Sequence, residues 1–484
     1  MNLRRSLFIT LMSRYALLLV NLVSSVIVAR LLTPKEMGEF SLCMVLLSFA
    51  AIFRDFGAST YLTQTAELNA QKLRAAMGLQ LLIGFGLAAL VAVASVPMSA
   101  FYAEEGLRPL MLWVAASYLI SPFGTVTQAI LQREMKFGAI ARIQVAAGVA
   151  AAAVTMGLAW LGLGAVSLAI GQLVSVCTSV AMTVPYRPRD LPWLPALKGS
   201  REILGFGGAV TGTAIINVIV KGAPEMLLGK LQGIHSVGLF ARGQGMVIMF
   251  GRQLTDAVSS VALPNFSRLA REDGNVGEAF LHGTAYVTAV AWASCLGMAI
   301  LARPLIEVLY GPQWHEAIPL VRWVAGAYGA GLSVMLVSSA LTAGGAVKSL
   351  VWATLLSGVL TVGAVALGAY RSLEFVGVGL FVTGILHAGI FFWLAQSRLH
   401  FEWAAVGKVL IRSGVVAVCT TVLPLLIVLT PKPDALSNWL DLLAGACAGV
   451  LGFYVGVRLA SHPLEREFQL VAEKLFRRFR SSAQ

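Results

Sequence analysis

Five cationic side chains lie inside long apolar runs of this 484-residue chain: Arg14, Arg54, Lys221, Arg242 and Arg252. A charge in an apolar run is costly and usually faces a cavity or a partner. Carboxylates and amides stand near these cations: Asn21, Asp55, Asn217, Glu225 and Asp256. At about 100° per residue, Thr10, Arg14, Asn21 and Ser25 share one helical face. Ser41, Ser48, Asp55 and Ser59 form a similar stripe with Arg54 beside it, Asn217 and Lys221 are a turn apart, and Arg242, Arg252 and Asp256 cluster on one side. The sum is net positive, which suits an anionic ligand such as a phosphate or pyrophosphate. The plainer alternative is structural. Arg54–Asp55 and Arg252–Asp256 could be internal pairs that staple helices, Arg14 lies shallow enough to reach an interface, and Glu225 could simply partner Lys221.

Little else in the chain reads as reactive. The five cysteines, Cys43, Cys177, Cys295, Cys419 and Cys447, are far apart in apolar surroundings, and neither they nor the six scattered histidines show metal-ligand spacing. There is no nucleotide-binding GxxxxGK[ST] motif; Gly229-Lys230 is followed by Leu231 instead. The glycine run at Gly205-Phe206-Gly207-Gly208 lacks the preceding strand of a dinucleotide site. The expectation is a protein without cofactor or metal, and not an enzyme.

Composition names the elements that must position the charges. The chain is 58% hydrophobic and 12% charged, with a mean hydropathy of +0.80. Soluble proteins carry roughly 25% charged residues, so a water-soluble enzyme and a disordered chain are both excluded. Spanning a bilayer takes about 20 apolar residues, and fourteen runs meet that need: 8–29, 39–62, 77–101, 110–131, 143–160, 166–184, 204–228, 239–262, 279–301, 318–342, 350–370, 377–396, 409–429 and 440–459. The fold class is therefore all-α, a polytopic membrane protein of about fourteen transmembrane helices. With both termini on the cytoplasmic side, 21 of the 36 Lys and Arg residues fall in inner segments and 7 in outer ones. That bias obeys the positive-inside rule. It also turns the net charge of +13 into topology and removes a nucleic-acid partner. Past the last run, Leu464, Phe468, Val471, Leu475 and Phe479 alternate with Arg466, Lys474, Arg477, Arg478 and Arg480, the pattern of a basic amphipathic helix on anionic lipid.

An internal repeat organises the runs. Ala29-Arg30-Leu31 with Gly38-Glu39-Phe40 matches Gly229-Lys230-Leu231 with Gly238-Leu239-Phe240, an offset of 200. Phe101-Tyr102 with Pro109-Leu110 and Trp113 is echoed by Leu309-Tyr310 with Pro319-Leu320 and Trp323. Lys221 takes the repeat position of Asn21, and Asp256 nearly that of Asp55. Six spans per repeat, an even number, implies two parallel repeats, an arrangement of transporters. The expected domains are a six-helix bundle at 1–184, a proline-rich cytoplasmic linker at 185–203, a second bundle at 204–396, two further helices within 397–459, and the tail 460–484.

Several segments carry a family resemblance: Ala29-Arg-Leu-Leu-Thr-Pro-Lys-Glu-Met-Gly38, Phe53-Arg-Asp-Phe-Gly57, Leu228-Gly-Lys-Leu-Gln-Gly233, Val237-Gly-Leu-Phe240, Leu263-Pro-Asn-Phe-Ser-Arg268 and Leu309-Tyr-Gly-Pro-Gln-Trp314. With these the chain resembles the polysaccharide transporters and O-antigen flippases of the multidrug/oligosaccharidyl-lipid/polysaccharide exporter superfamily, the lipopolysaccharide biosynthesis proteins among them. The resemblance implies a pair of six-helix bundles working by alternating access. It implies transfer of an undecaprenyl-pyrophosphate-linked oligosaccharide from the cytoplasmic to the periplasmic leaflet of the bacterial inner membrane. Arg14, Arg54 and Arg252 are the positions it suggests for the pyrophosphate. Expected partners are that lipid-linked substrate, membrane lipids, and a polysaccharide polymerase with its export machinery. Two departures matter: Pro224-Glu225 replaces the acidic-polar pair of many relatives, and Arg14 stands in a first span without a carboxylate, unlike drug and cation exporters of the superfamily. A cation-coupled drug exporter and a membrane-embedded glycosyltransferase or polymerase are the alternatives.

Overall fold

The structure, a computed structural model, describes residues 3–54, 61–63, 65, 69–187, 196, 218–272, 274–430, 436–467 and 469–470. All regular elements among them are helical. They are α1 (Leu3–Leu31), α2 (Pro34–Arg54), α3 (Ala70–Tyr102), α4 (Leu107–Ile120), α5 (Pro122–Arg133), α6 (Phe137–Trp160), α7 (Val166–Thr183) and α8 (218–231). Then follow α9 (Ile234–Arg271), α10 (Val276–Ile300), α11 (Ala302–Leu309), α12 (Ile318–Leu332), α13 (Met335–Ala343), α14 (Val347–Ala369), α15 (Leu373–Leu399), α16 (Trp403–Leu429) and α17 (Leu436–Leu459). The proline-rich segment 188–195 and the stretch 197–217 lie outside the described residues, as does the tail from 471.

Local chemistry sets the helix ends. Thr33 and Glu36 form a reciprocal cap at the start of α2: Thr33 N donates to Glu36 Oε2 at 2.7 Å, and Glu36 N donates to Thr33 Oγ1 at 3.3 Å. Asn69 caps α3 by accepting from Lys72 N at 2.8 Å. His400, in left-handed conformation at φ 53°, ends α15.

Among the described residues, ten helices are long and apolar enough to cross a membrane, or up to eleven if one bent pair is a single span. The chain is thus an all-α, multi-pass membrane protein. The expectation of fourteen spans is not reached by this measure, for physical reasons. The run 239–262 falls within the 38-residue α9, whose arginines and aspartate take it below the apolar threshold. The described apolar part of α1 is only Tyr15–Leu31. Most of the run 204–228 lies outside the described residues. The run 110–131 is not one straight helix: α4 and α5 meet at 55°, at Ser121-Pro122. Pro122 has no amide hydrogen to continue the ladder, and its ring fits against Gly84 of α3, where a Cβ would collide with it.

The chain forms two compact units, Met1–Leu239 and Phe240–Gln484. In the first, α1 packs on α6, α3 on α4, α4 on α7 and α6 on α7. One core there joins Tyr61, Leu62, Ala76 and Leu79 to Val126 and Ile130. In the second, α10 packs on α16, α12 and α14 on α15, and α16 on α17. Its core centres on Phe280, stacked on Phe401 at 5.5 Å and edge-on to Phe392 at 6.5 Å.

Candidate functional site

In the first unit the repeat motif packs against its own second copy. Gly38, in the first turns of α2, abuts the carbonyl of Ile234 at the start of α9. Gly238 abuts the carbonyl of Pro34 at the start of α2. The contact is reciprocal, and each position is 200 residues from its equivalent. Any side chain at either glycine would displace backbone, since a Cβ on Gly38 would also lie 2.9 Å from the amide nitrogen of Gly238. Small residues allow such close approach of helices in a bilayer.

The seam continues along α8. Gly222 faces Val45, Gly229 faces Leu42 and Tyr102, and between them Glu225 Oε2 accepts a hydrogen bond from Ser41 Oγ at 2.5 Å. Glu225 is part-buried, whereas Lys221 one turn away is exposed. The expected alternative of Glu225 partnering Lys221 thus gives way to a tie between α8 and α2. At the same end, Lys230 Nζ donates to the Phe101 carbonyl at 2.7 Å and lies 4.2 Å from the Phe101 ring centre. Lys35 Nζ pairs with Glu104 at 3.0 Å. These polar ties sit around the glycine contact.

The remaining candidates of this unit are spread out. Arg54 ends α2, part-buried, with its guanidinium 5.8 Å from the Tyr118 ring centre; the Tyr118 hydroxyl in turn donates to the Leu47 carbonyl at 3.1 Å. Asn21 is exposed on α1. The Arg14 side chain, Asp55 and Asn217 lie outside the described residues.

In the second unit, α9 carries two arginines in opposite situations. Arg242 lies 4.3 Å from the ring centre of Tyr310 and 5.9 Å from that of Trp314, a cation held against aromatic faces. Trp314 is fully buried, and Gly311 between the two rings takes φ 99°, which a side chain would strain. The segment Leu309–Trp314 thus places two aromatic rings against Arg242. Arg252, ten residues on, is exposed. Asp256, one turn beyond, is part-buried. Both lie within electrostatic range of Tyr328 of α12, which shares a hydrogen bond with Thr255 and whose ring occupies the space left by Gly251. Nothing in the sequence separates Arg242 from Arg252, because the aromatic residues that divide their roles are more than sixty positions away.

A cavity of about 340 Å³ opens beside this cluster, between α9, α12, α14 and α15. Gln244, Tyr328, Thr361, Thr383 and His387 are its polar lining. Sequence reasoning singles out none of these five. The available signal is the spacing of Thr383 and His387, one turn apart in an otherwise apolar run. No group of three or more His, Cys, Asp or Glu capable of holding a metal occurs among the described residues.

Comparison with known proteins agrees with this architecture. A family described as "Polysaccharide biosynthesis protein" matches residues 27–319. The teichuronic acid biosynthesis protein TuaB of Bacillus subtilis (strain 168) is 22% identical over 332 residues, covering 65% of this chain and 66% of TuaB. The succinoglycan biosynthesis transport protein ExoT of Rhizobium meliloti (strain 1021) is 23% identical over 346 residues, covering 71% of this chain and 69% of ExoT. The chain thus spans about two thirds of the length of these relatives, slightly less for TuaB. Among solved structures, the lipid II flippase MurJ in an inward closed conformation superposes with a TM-score of 0.76 at 14% identity, covering 93% of this chain and 99% of MurJ. At that identity the likeness is one of fold.

Proposed function

The chain belongs to the polysaccharide biosynthesis protein family, and from that membership we propose that it is a flippase. Its substrate is an undecaprenyl-pyrophosphate-linked oligosaccharide, a unit of exopolysaccharide, capsule or O-antigen. The protein moves it from the cytoplasmic to the periplasmic leaflet of the inner membrane by alternating access, with both of its own termini cytoplasmic. MurJ, a lipid II flippase, shares the fold, and ExoT is a transport protein of succinoglycan biosynthesis. These relatives support a glycan or glycan-lipid cargo, and the cationic residues of this chain suit an anionic one.

The observation that carries the reading is the exposure of Arg252 on α9. One arginine of that helix is sunk against Tyr310 and Trp314, and the other stands free of such a clasp, on a polar face of a helix in a membrane fold. A guanidinium presented in that way offers forked donors to phosphate oxygens. Arg14, Arg54 and Lys221 add positive charge, while Asn21, Asn217, Asp55 and Asp256 supply polar and acidic neighbours. Arg242 and Glu225 then act by positioning, the first holding α9 to the Leu309–Trp314 segment and the second tying α8 to α2.

The test is genetic. Cells lacking the gene lose surface polysaccharide, and the wild-type gene restores it. Arg14→Ala with Arg252→Ala leaves the protein in the membrane at wild-type abundance but does not restore the polysaccharide. Normal polysaccharide in that double variant removes the site assignment.

A further inference from the structure

A second groove, of about 530 Å³, lies between α14 and α15 of the second unit. Both helices are long and apolar enough to cross a membrane, and a short turn at 370–372 joins them. Near that turn glycines let their backbones meet. A Cβ on Gly368 would lie 2.8 Å from the Val376 amide nitrogen, and one on Gly379 would lie 3.1 Å from the Ala364 carbonyl oxygen. Toward the far ends the residues between the helices are large: Trp352 and Leu356 on α14, Ile390 and Trp393 on α15. Such side chains cannot close as glycines do, and the groove opens there. Its floor is firm, because Ala353 and Leu394, which line it, are also buried members of the core around Phe280.

The lining is ordered along the groove. At the helix ends away from the turn stand Ser349 and Arg398, joined by a hydrogen bond from Arg398 Nη2 to Ser349 Oγ at 3.0 Å. Next come Trp352 and Trp393, large rings that are 73% and 64% exposed. Deepest are Leu356 and Ile390. From Arg398 to Ile390 is eight residues, about 12 Å of helix, which is most of one ~15 Å leaflet of hydrocarbon. Cation, amphipathic ring and aliphatic chain thus follow one another as headgroup, interface and acyl chain do in a phospholipid. The guanidinium of Arg398 has five N–H donors, of which Ser349 takes one. Ser349, accepting that bond, keeps its own proton to donate. Arg398 and Lys348, the residue before Ser349, are both exposed, and no carboxylate lines the groove among the described residues. The mouth of the groove is therefore cationic, with donors suited to phosphate oxygens.

We infer that this groove is a binding site for one anionic phospholipid of the phosphatidylglycerol class. Its phosphate sits at Arg398 and Ser349, and an acyl chain runs between Trp352 and Trp393. A plain hydrocarbon chain would fill the apolar part and leave Arg398 without an anion. A free phosphate would leave the two tryptophans uncovered. A molecule that carries phosphate and chain together satisfies both parts of the lining. In the orientation proposed above, the groove opens to the cytoplasmic leaflet, where anionic lipid and cationic side chains attract. The inference itself rests on the multi-pass fold and not on the cargo, since the site draws only on α14 and α15. A lipid seated there joins the two helices where their own side chains leave a gap, and stabilises the folded unit by mass action.

The test uses the full chain in phosphatidylcholine vesicles that contain a fraction of lipid brominated on its acyl chain, either phosphatidylglycerol or phosphatidylcholine. Bromine quenches tryptophan fluorescence on contact. Of the ten tryptophans, the two of the groove are isolated as the component lost in Trp352→Phe with Trp393→Phe. Brominated phosphatidylglycerol should quench that component at about fivefold lower mole fraction than brominated phosphatidylcholine, the difference expected of one cation near a membrane surface. Arg398→Gln should remove the preference, and Arg398→Lys, which keeps the charge, should retain most of it. Unbrominated phosphatidylglycerol should also raise the thermal unfolding midpoint of the wild type more than that of Arg398→Gln. Equal quenching by the two lipids in wild-type protein, the mark of ordinary boundary lipid, overturns the inference. So does a preference that survives Arg398→Gln. If the double tryptophan variant does not fold, the comparison of melts decides alone, and equal shifts in wild type and Arg398→Gln overturn the inference. Failure of the flippase reading in the genetic test leaves each of these outcomes unchanged.

Discussion

Replacing Gly238 by Ala sets two known effects against each other. In an isolated helix the exchange is favourable by about 1 kcal/mol, because glycine loses more backbone entropy on folding. At Gly238 the new methyl would lie 2.8 Å from the Pro34 carbonyl carbon, 3.0 Å from the Gly38 amide nitrogen, and nearer still to the Pro34 oxygen. Comfortable carbon contacts need about 3.5–4.0 Å, so α2 and α9 must separate by at least about 1 Å, and by more to clear the Pro34 oxygen. Overpacking of this kind costs about 1–3 kcal/mol. The obstacle is backbone, which cannot rotate aside, so the upper end applies, and the net is about 2 kcal/mol against the closed contact. At about 1.4 kcal/mol per tenfold, that lowers its population roughly 30-fold. Gly245 on the same helix is the control, since a Cβ there meets nothing within 4 Å. Gly245→Ala should leave stability unchanged or raise it by up to about 1 kcal/mol. Thermal unfolding and the spin-label distance between the exposed positions Lys35 and His235 report on both variants. The expected result for Gly238→Ala is a lower unfolding midpoint and a longer or broadened distance. A Gly238→Ala protein as stable as Gly245→Ala, with an unchanged distance, refutes the reasoning.

Two further outcomes are expected. Ser41→Ala leaves the part-buried Glu225 carboxylate without the 2.5 Å donor from Ser41 and should cost about 1–3 kcal/mol in unfolding; Ser41→Ala with Glu225→Met, which removes both partners, should recover much of it. His462, just past α17, is buried, with Nδ1 accepting from Leu464 N at 3.3 Å. Burial, with the Arg412 guanidinium adding to it, holds its imidazole below the ordinary value of 6.5. The unfolded chain therefore takes up a proton at this residue before the folded chain does, and stability falls as pH drops below 6.5 toward the lowered folded value. His462→Gln should flatten that fall in thermal melts taken at successive pH values, with little change above it.

The helices were legible because each needs a long apolar run, and the described residues of these runs are helical apart from short breaks. What the runs hid was their interruption. Pro122 announces the break between α4 and α5, but the apolar content continues through it. The stop at Ser333-Val334 between α12 and α13 has no proline to mark it. The repeat was visible as spacing, and its glycines were part of the pattern. That Gly38 and Gly238 pack against each other follows only once the two copies meet in space. The cationic faces were legible for the same reason as the spans, since charges stand out in apolar sequence. Their division into packed and presented groups was not, because Tyr310 and Trp314, which hold Arg242, come from a distant segment. The cavity beside Tyr328 escaped notice because its polar lining, Gln244, Tyr328, Thr361, Thr383 and His387, comes from four helices.

The central claim, movement of a pyrophosphate-linked glycan lipid across the bilayer by way of Arg14 and Arg252, can be measured with purified protein in liposomes. The vesicles carry an undecaprenyl-pyrophosphate-linked oligosaccharide in both leaflets, and a membrane-impermeant glycan-cleaving enzyme outside reports the fraction that becomes accessible with time. Wild-type protein should expose the inner-leaflet pool, and Arg14→Ala with Arg252→Ala should leave it protected as in protein-free vesicles. An inner pool that stays protected with wild-type protein, or equal exposure by the double variant, would contradict the account.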